Sequence, residues 1–143
     1  MNANRISRTL VAGATIALLT LLVGCQGGAS ANPATGPVGL TQPPAGFDPN
    51  SPKVTAMNIA FDRTEFSVAA NLPFVLVFEN RESPPHNISI YRDAGYKDLV
   101  VEGVTFEGPA TRWYPVPALP AGTYWFRCVV HPIPAMEGQL KAI

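Results

Sequence analysis

The sequence predicts an all-β domain built as a sandwich or barrel, and three observations carry that prediction. Short runs rich in β-branched and aromatic residues recur from Lys53 onward. Turn-forming Pro, Gly and Asn clusters separate them. Helix-favouring runs are scarce beyond the N-terminus. Short strands with regular turn signals are the pattern of a sandwich or barrel.

The elements follow in chain order. Arg5 and Arg8 precede an uncharged apolar stretch from Leu10 to Val23. That stretch is shorter than the roughly 20 residues of a membrane span and matches an export signal over residues 1–24. It ends in Leu22-Val23-Gly24-Cys25, which resembles the lipobox of bacterial lipoproteins. The resemblance implies cleavage before Cys25, a lipid on its sulfur, and a chain anchored to a bacterial membrane outside the cytoplasm. A short anchor helix with a free cysteine is the plainer alternative. Residues 26–52 are rich in Gly, Ala, Pro, Ser, Thr and Asn, with Leu40 and Phe47 their only two large apolar residues. Such composition buries too little surface to fold, so residues 25–52 read as a flexible tether and 53–143 as the domain.

Within the domain, Val54 to Phe61 reads as one strand, with Met57 in the core. Phe74 to Phe78 is a near-continuous apolar run suited to a central strand. His86 to Tyr91 alternates, placing Ile88 and Ile90 on one side. Thr123 to Val129 and Gly138 to Ile143 are further strands. Asn71-Leu72-Pro73, Ser83-Pro84-Pro85 and Pro120-Ala121-Gly122 mark turns between them, and Asp93 to Leu99 reads as a short helical turn. Phe78, Trp113, Tyr124 and Phe126 are core candidates. Trp125 and Arg127 point away from the face that carries Cys128.

Composition excludes several functions. The formal net charge is zero and only 14% of residues are charged. No basic stripe exists, so nucleic acid is not a partner. No nucleotide-binding glycine loop and no internal repeat is present.

The chemistry lies in one constellation. The chain holds two histidines, His86 and His131, and two cysteines, Cys25 and Cys128. A Cys25–Cys128 disulfide is the default for an exported chain, but each cysteine carries its own local signature. His131 lies three residues after Cys128, and Met136 five residues after His131. Thiolate, imidazole and a weak thioether together suit copper in an electron-transfer site. A strand ending at Cys128 followed by a returning loop brings Cys128, His131 and Met136 together, and His86 must come from a neighbouring strand. Taken singly, Cys128 and Met136 read as core residues, and His86 and His131 as loop residues. Taken jointly, the spacing reverses that reading.

Here the sequence resembles the cupredoxin family, and the plastocyanins in particular, over most of 54–143. Gly122-Thr123-Tyr124-Trp125-Phe126-Arg127-Cys128 resembles the family's G-x-Y-x-F-x-C strand. Asn80, Pro85, His86 and Asn87 resemble its N-x4-P-H-N segment, and Met136-Glu137-Gly138 its M-x-G turn. The resemblance implies a Greek-key sandwich of about seven to eight strands, with one copper ion cycling between Cu(I) and Cu(II). It assigns His86, Cys128 and His131 as trigonal ligands and Met136 as the long axial one. It makes Asn87 the tie between the two ligand loops.

It further implies a monomeric electron carrier rather than an enzyme. The redox partner would dock on an uncharged patch of Pro84, Pro85, Pro132, Ile133, Pro134 and Ala135 around His131. Two departures stand out. Val130 replaces the family's proline and retains an N–H able to donate to the Cys128 sulfur. Arg127 replaces an exposed aromatic, which puts an electron route through that position in doubt. Copper delivery to another cuproprotein is the second function class; its exposed Met and His clusters are absent. Zinc is disfavoured by the methionine, a dinuclear centre by the single loop cysteine, and an oxidase by the lack of further histidines. A Cys–His nucleophilic enzyme is disfavoured because the cysteine lies between the sheets.

Overall fold

The computed structural model describes residues 36–143. The expected signal segment, the lipidation of Cys25 and the first part of the tether lie outside the described residues. Among the described residues, eight strands form two sheets. They are β1 (Lys53–Ala56), β2 (Glu65–Val68), β3 (Phe74–Asn80), β4 (Ser89–Tyr91), β5 (Leu99–Val101), β6 (Ala110–Val116), β7 (Gly122–Arg127) and β8 (Glu137–Ala142). One sheet runs β1-β3-β6, the other β2-β8-β7-β4-β5. A 3-10 turn, Pro134–Met136, precedes β8. The all-β sandwich is as the sequence predicts.

Alternation builds the core. In β7, Tyr124 and Phe126 point inward and Trp125 and Arg127 outward, and Cys128 continues the inward row. The parallel pairs β1–β3 and β2–β8 each join strands distant in sequence, so the chain crosses between sheets rather than closing local hairpins. Phenylalanine rings fill the space between. Phe61 meets Phe78 edge-on at 5.9 Å and lies 5.8 Å from Phe126; Phe66 lies 5.3 Å from Phe126. Each such pair adds about 0.5–1.5 kcal/mol beyond its buried area. Gly138 faces Phe126 across β7–β8, and its missing side chain is what lets the ring lie there: a Cβ would overlap that ring.

The structure corrects several sequence expectations. The first strand stops at Ala56 instead of running to Phe61. Asn58 and Ile59 have φ of 57° and 53°, and Met57 and Ala60 exchange two backbone hydrogen bonds at 3.0 and 3.2 Å. The chain therefore turns, and Met57 sits exposed rather than in the core. The stretch from Val38 is not free tether either. Val38 donates to the Glu102 carbonyl, and Leu40 and Trp113 exchange backbone hydrogen bonds. Phe47 packs edge-on against Trp113 at 6.4 Å. Bonding to a sheet edge satisfies this backbone without a core of its own, which composition does not reveal. It also places Trp113 on the outside of its sheet, half-buried, and not in the core.

Strands β2, β5 and β6 were not apparent from the sequence. β2 and β5 are only four and three residues long. β6 contains Pro115, which demotes a strand in a sequence reading; here it sits in a strand at the end of its sheet, where proline is tolerated. Asp93 to Leu99 forms no helix. The Asp93 carboxylate instead collects the N–H groups of Gly95, Lys97 and Asp98 at 2.7–2.9 Å.

Candidate metal centre

Two loops at one end of the sandwich carry the site. The first follows β3. Buried Asn80 shapes it: its Nδ2 donates to the carbonyls of Pro84 and Phe106 at 2.9 and 3.0 Å, and its Oδ1 accepts from the Glu82 N–H. The loop then delivers His86, whose backbone pairs reciprocally with Phe106 at 3.1 Å. The second loop follows β7. The Cys128 N–H donates to the Met136 carbonyl at 3.0 Å, closing the segment from one end to the other. Inside it, the Ile133 N–H donates to His131 and the Met136 N–H to Ile133. Such local bonds hold side chains in place before any ion arrives.

The loops are tied together by Asn87. Its Oδ1 accepts the Val129 N–H at 2.9 Å, and its Nδ2 donates to the Gly103 carbonyl at 2.9 Å. Asn87 thus bonds both to the segment that follows Cys128 and to the segment that carries Gly103.

Three candidate ligands converge. Cys128 Sγ lies 3.8 Å from His86 Nδ1 and 3.9 Å from His131 Nδ1, and the two Nδ1 atoms are 3.1 Å apart. The circle through these three atoms has a radius of about 2.1 Å, the length of a bond from a first-row metal to imidazole. His86, Cys128 and Met136 are fully buried, whereas His131 is half-buried. Met136 is brought to the cluster's loop by its backbone bond to Cys128.

Electrostatics favour neutral imidazole at His86. Burial pushes its pKa down and outweighs the pull of Glu82, whose Oε1 lies 2.9 Å from His86 Nε2. Burial pushes the Glu82 carboxyl up, but the Ile59 N–H, His86 and the Asn58 N–H together hold it below its ordinary value. Glu82 was not singled out in the sequence reading. The signal was there: an acid four residues before a buried histidine, in a loop otherwise dominated by proline.

Beside Cys128, Arg127 stacks over the Tyr96 ring at 4.3 Å and the Tyr91 ring at 5.6 Å. Burial, with Glu137 beside it, pushes Tyr96 up to about 12.

The donor set fits copper. One thiolate and two imidazoles in a triangle, with a thioether on the same loop, is the ligand chemistry of a trigonal blue-copper site. Zinc sites instead draw four tetrahedral N, S or carboxylate donors.

Comparison with known proteins places the fold. No family model and no curated sequence matches the chain. Solved structures do. Auracyanin A, a "blue" copper protein from Chloroflexus aurantiacus, aligns over 64% of this chain and 96% of its own, with 22% identity and a TM-score of 0.56. Auracyanin from Roseiflexus castenholzii aligns over 64% and 94%, with 19% identity and a TM-score of 0.56. Amicyanin from Paracoccus versutus aligns over 74% and 95%, with 20% identity and a TM-score of 0.54. The described chain thus has the cupredoxin fold of the blue copper proteins, and its histidine–cysteine–histidine cluster, buried but for half-buried His131, fits one type 1 copper ion.

Proposed function

We propose that the chain is a mononuclear type 1 copper protein that carries single electrons outside the cytoplasm. His86, Cys128 and His131 would hold the ion, with Met136 from the same loop as Cys128 as the fourth donor. The observation that carries this reading is the triangle of Sγ and two Nδ1 atoms, already spaced for one ion. Bound copper supplies one-electron cycling between Cu(I) and Cu(II).

The protein's own residues do the rest. Asn87, Asn80 and the Phe106 pairing hold the donors at fixed separations, so little reorganises when the charge changes. Burial of Cys128 and His86 keeps solvent and substrates away from the thiolate, which supports a carrier rather than a catalyst. His131 alone among the ligands reaches the surface, so electrons leave through its ring. Pro132, Ile133, Pro134 and Ala135 around it are exposed and uncharged. With half-buried Pro84 and Pro85 they offer the small apolar contact that brief redox encounters use. Arg127 adds a positive charge at the neighbouring position, which disfavours a second route there. Anchoring through a lipid on Cys25 completes the reading, and it rests on the Leu22-Val23-Gly24-Cys25 sequence alone.

The test is to load the chain with Cu(II) and cycle it electrochemically. A carrier gives reversible one-electron waves and retains its metal. A protein that passes Cu(I) to an acceptor and gives no reversible wave is a copper-delivery protein instead.

A further inference from the structure

The Glu82 carboxylate is more than the partner of one histidine. Its Oε1 accepts from the Ile59 N–H at 2.8 Å as well as facing His86 Nε2 at 2.9 Å, and its Oε2 accepts from the Asn58 N–H at 3.0 Å. Both amides point at it because Asn58 and Ile59 are left-handed, with φ of 57° and 53°. Asparagine tolerates that conformation, but a β-branched isoleucine there is a true outlier. Backbone strain of this kind persists only where the surroundings over-determine it, and it gathers at functional sites.

The same turn reaches the second loop. The Phe61 N–H, just past the turn, donates to the Ala135 carbonyl at 2.8 Å, directly before Met136. Residues 57–61 therefore bracket both ligand loops, one through Glu82 and the other through Ala135.

We propose that the left-handed Asn58–Ile59 turn and the Glu82 carboxylate form a positioning clamp that fixes His86 as its Nε2–H tautomer and biases bound copper toward Cu(II). An ionised carboxylate only accepts hydrogen bonds, so His86 Nε2 must carry the proton. The Nδ1 lone pair then faces Cys128 Sγ and His131 Nδ1. A negative charge behind a metal-binding imidazole raises its basicity, which favours the more highly charged ion. The turn matters because its two amides hold the carboxylate in place while its third contact goes to the histidine. The copper half of the clamp rests on the proposed function; the tautomer half does not.

The test has two arms, both on the full chain. The first is long-range proton–nitrogen NMR of His86 in metal-free protein near neutral pH. A single Nε2–H tautomer is expected, and an Nδ1–H form or an averaged mixture overturns the clamp. This arm needs neither copper nor a variant that folds. The second compares Glu82→Gln with the parent after copper loading. The glutamine keeps an acceptor but loses the charge and presents a donor to one of the two amides. Its Cu(II) affinity is expected to fall about 10-fold more than its Cu(I) affinity, an upward shift in midpoint potential of about 59 mV, with the red absorption retained. An unchanged or lower potential overturns the bias toward Cu(II). A parent chain that takes up no copper overturns the proposed function and the copper half of the clamp together, while the tautomer stands or falls on the first arm.

Discussion

Asn87→Ala is the most informative single change outside the ligands. Asn87 is 1% exposed. Its Oδ1 accepts the Val129 N–H, and its Nδ2 donates to the carbonyl of buried Gly103. Its Nδ2 also reaches the buried Ser89 hydroxyl at 3.4 Å, a long contact that contributes little, and alanine removes all three partners and adds none. A buried polar group left unpaired costs about 1–3 kcal/mol. The Val129 amide belongs to an exposed residue and regains water, so it falls at the low end. The Gly103 carbonyl belongs to a buried residue and its bond to Asn87 is buried, so it falls nearer the high end. Together they give a loss of about 2–4 kcal/mol in the metal-free chain, or about 8–16 °C in melting temperature for a domain of this size. Denaturant unfolding of parent and variant without metal measures it. In a second titration, Cu(II) affinity is expected to drop about 10–100-fold, because the brace between the ligand loops is gone. A stability loss below about 1 kcal/mol would refute the bridging role, and intact stability with intact affinity would remove Asn87 from the site altogether.

Other changes probe separate parts of the structure. Gly138→Ala forces a methyl into the Phe126 ring and toward the Thr64 carbonyl, so unfolding experiments are expected to show a loss of about 1–3 kcal/mol. Val130→Pro deletes an amide that makes no hydrogen bond to the Cys128 sulfur in the structure, where among the described residues that sulfur meets only the two imidazoles; a bond formed to it in the copper-loaded chain and worth about 1 kcal/mol would appear as a fall of about 40 mV in midpoint potential on substitution, and an unchanged or raised value excludes such a bond. Hydrogen bonds from the Asp98, Lys97 and Gly95 amides hold the Asp93 carboxyl below its ordinary value. Its folded pKa is depressed, so its contribution to stability is present above the unfolded pKa near 4 and is lost as pH falls through the folded one. Asp93→Ala is expected to lower stability at neutral pH and flatten the acid limb of the pH–stability curve; an unaltered limb excludes this turn as a source.

The legible parts of this protein were those where periodicity and chemistry coincide. β7 shows its alternation in Tyr124, Phe126 and Cys128, and the ligand loop follows at once, so strand and site announce each other. Only two histidines exist in the chain, and both fall in the cluster. Less legible were features set by tertiary contact. Leu40 and Phe47 look like stray residues in a polar linker until Trp113 offers them a surface. The left-handed turn at Ile59 contradicts local preference, and only the Glu82 carboxylate and the Ala135 carbonyl, both distant in sequence, explain why it persists. Pro115 hides β6 because a sequence does not say which strand lies at a sheet edge. Glu82 escaped notice because its role comes from the histidine it touches and not from a motif of its own.

A bond between copper and the Cys128 sulfur is the feature on which the electron-carrier reading stands. The direct measurement is the visible spectrum of the Cu(II)-loaded chain beside that of Cys128→Ser. An intense thiolate-to-copper band in the red is expected for the parent, and its complete loss in the variant. A parent that binds Cu(II) without colour, or a band that survives in Cys128→Ser, would contradict it.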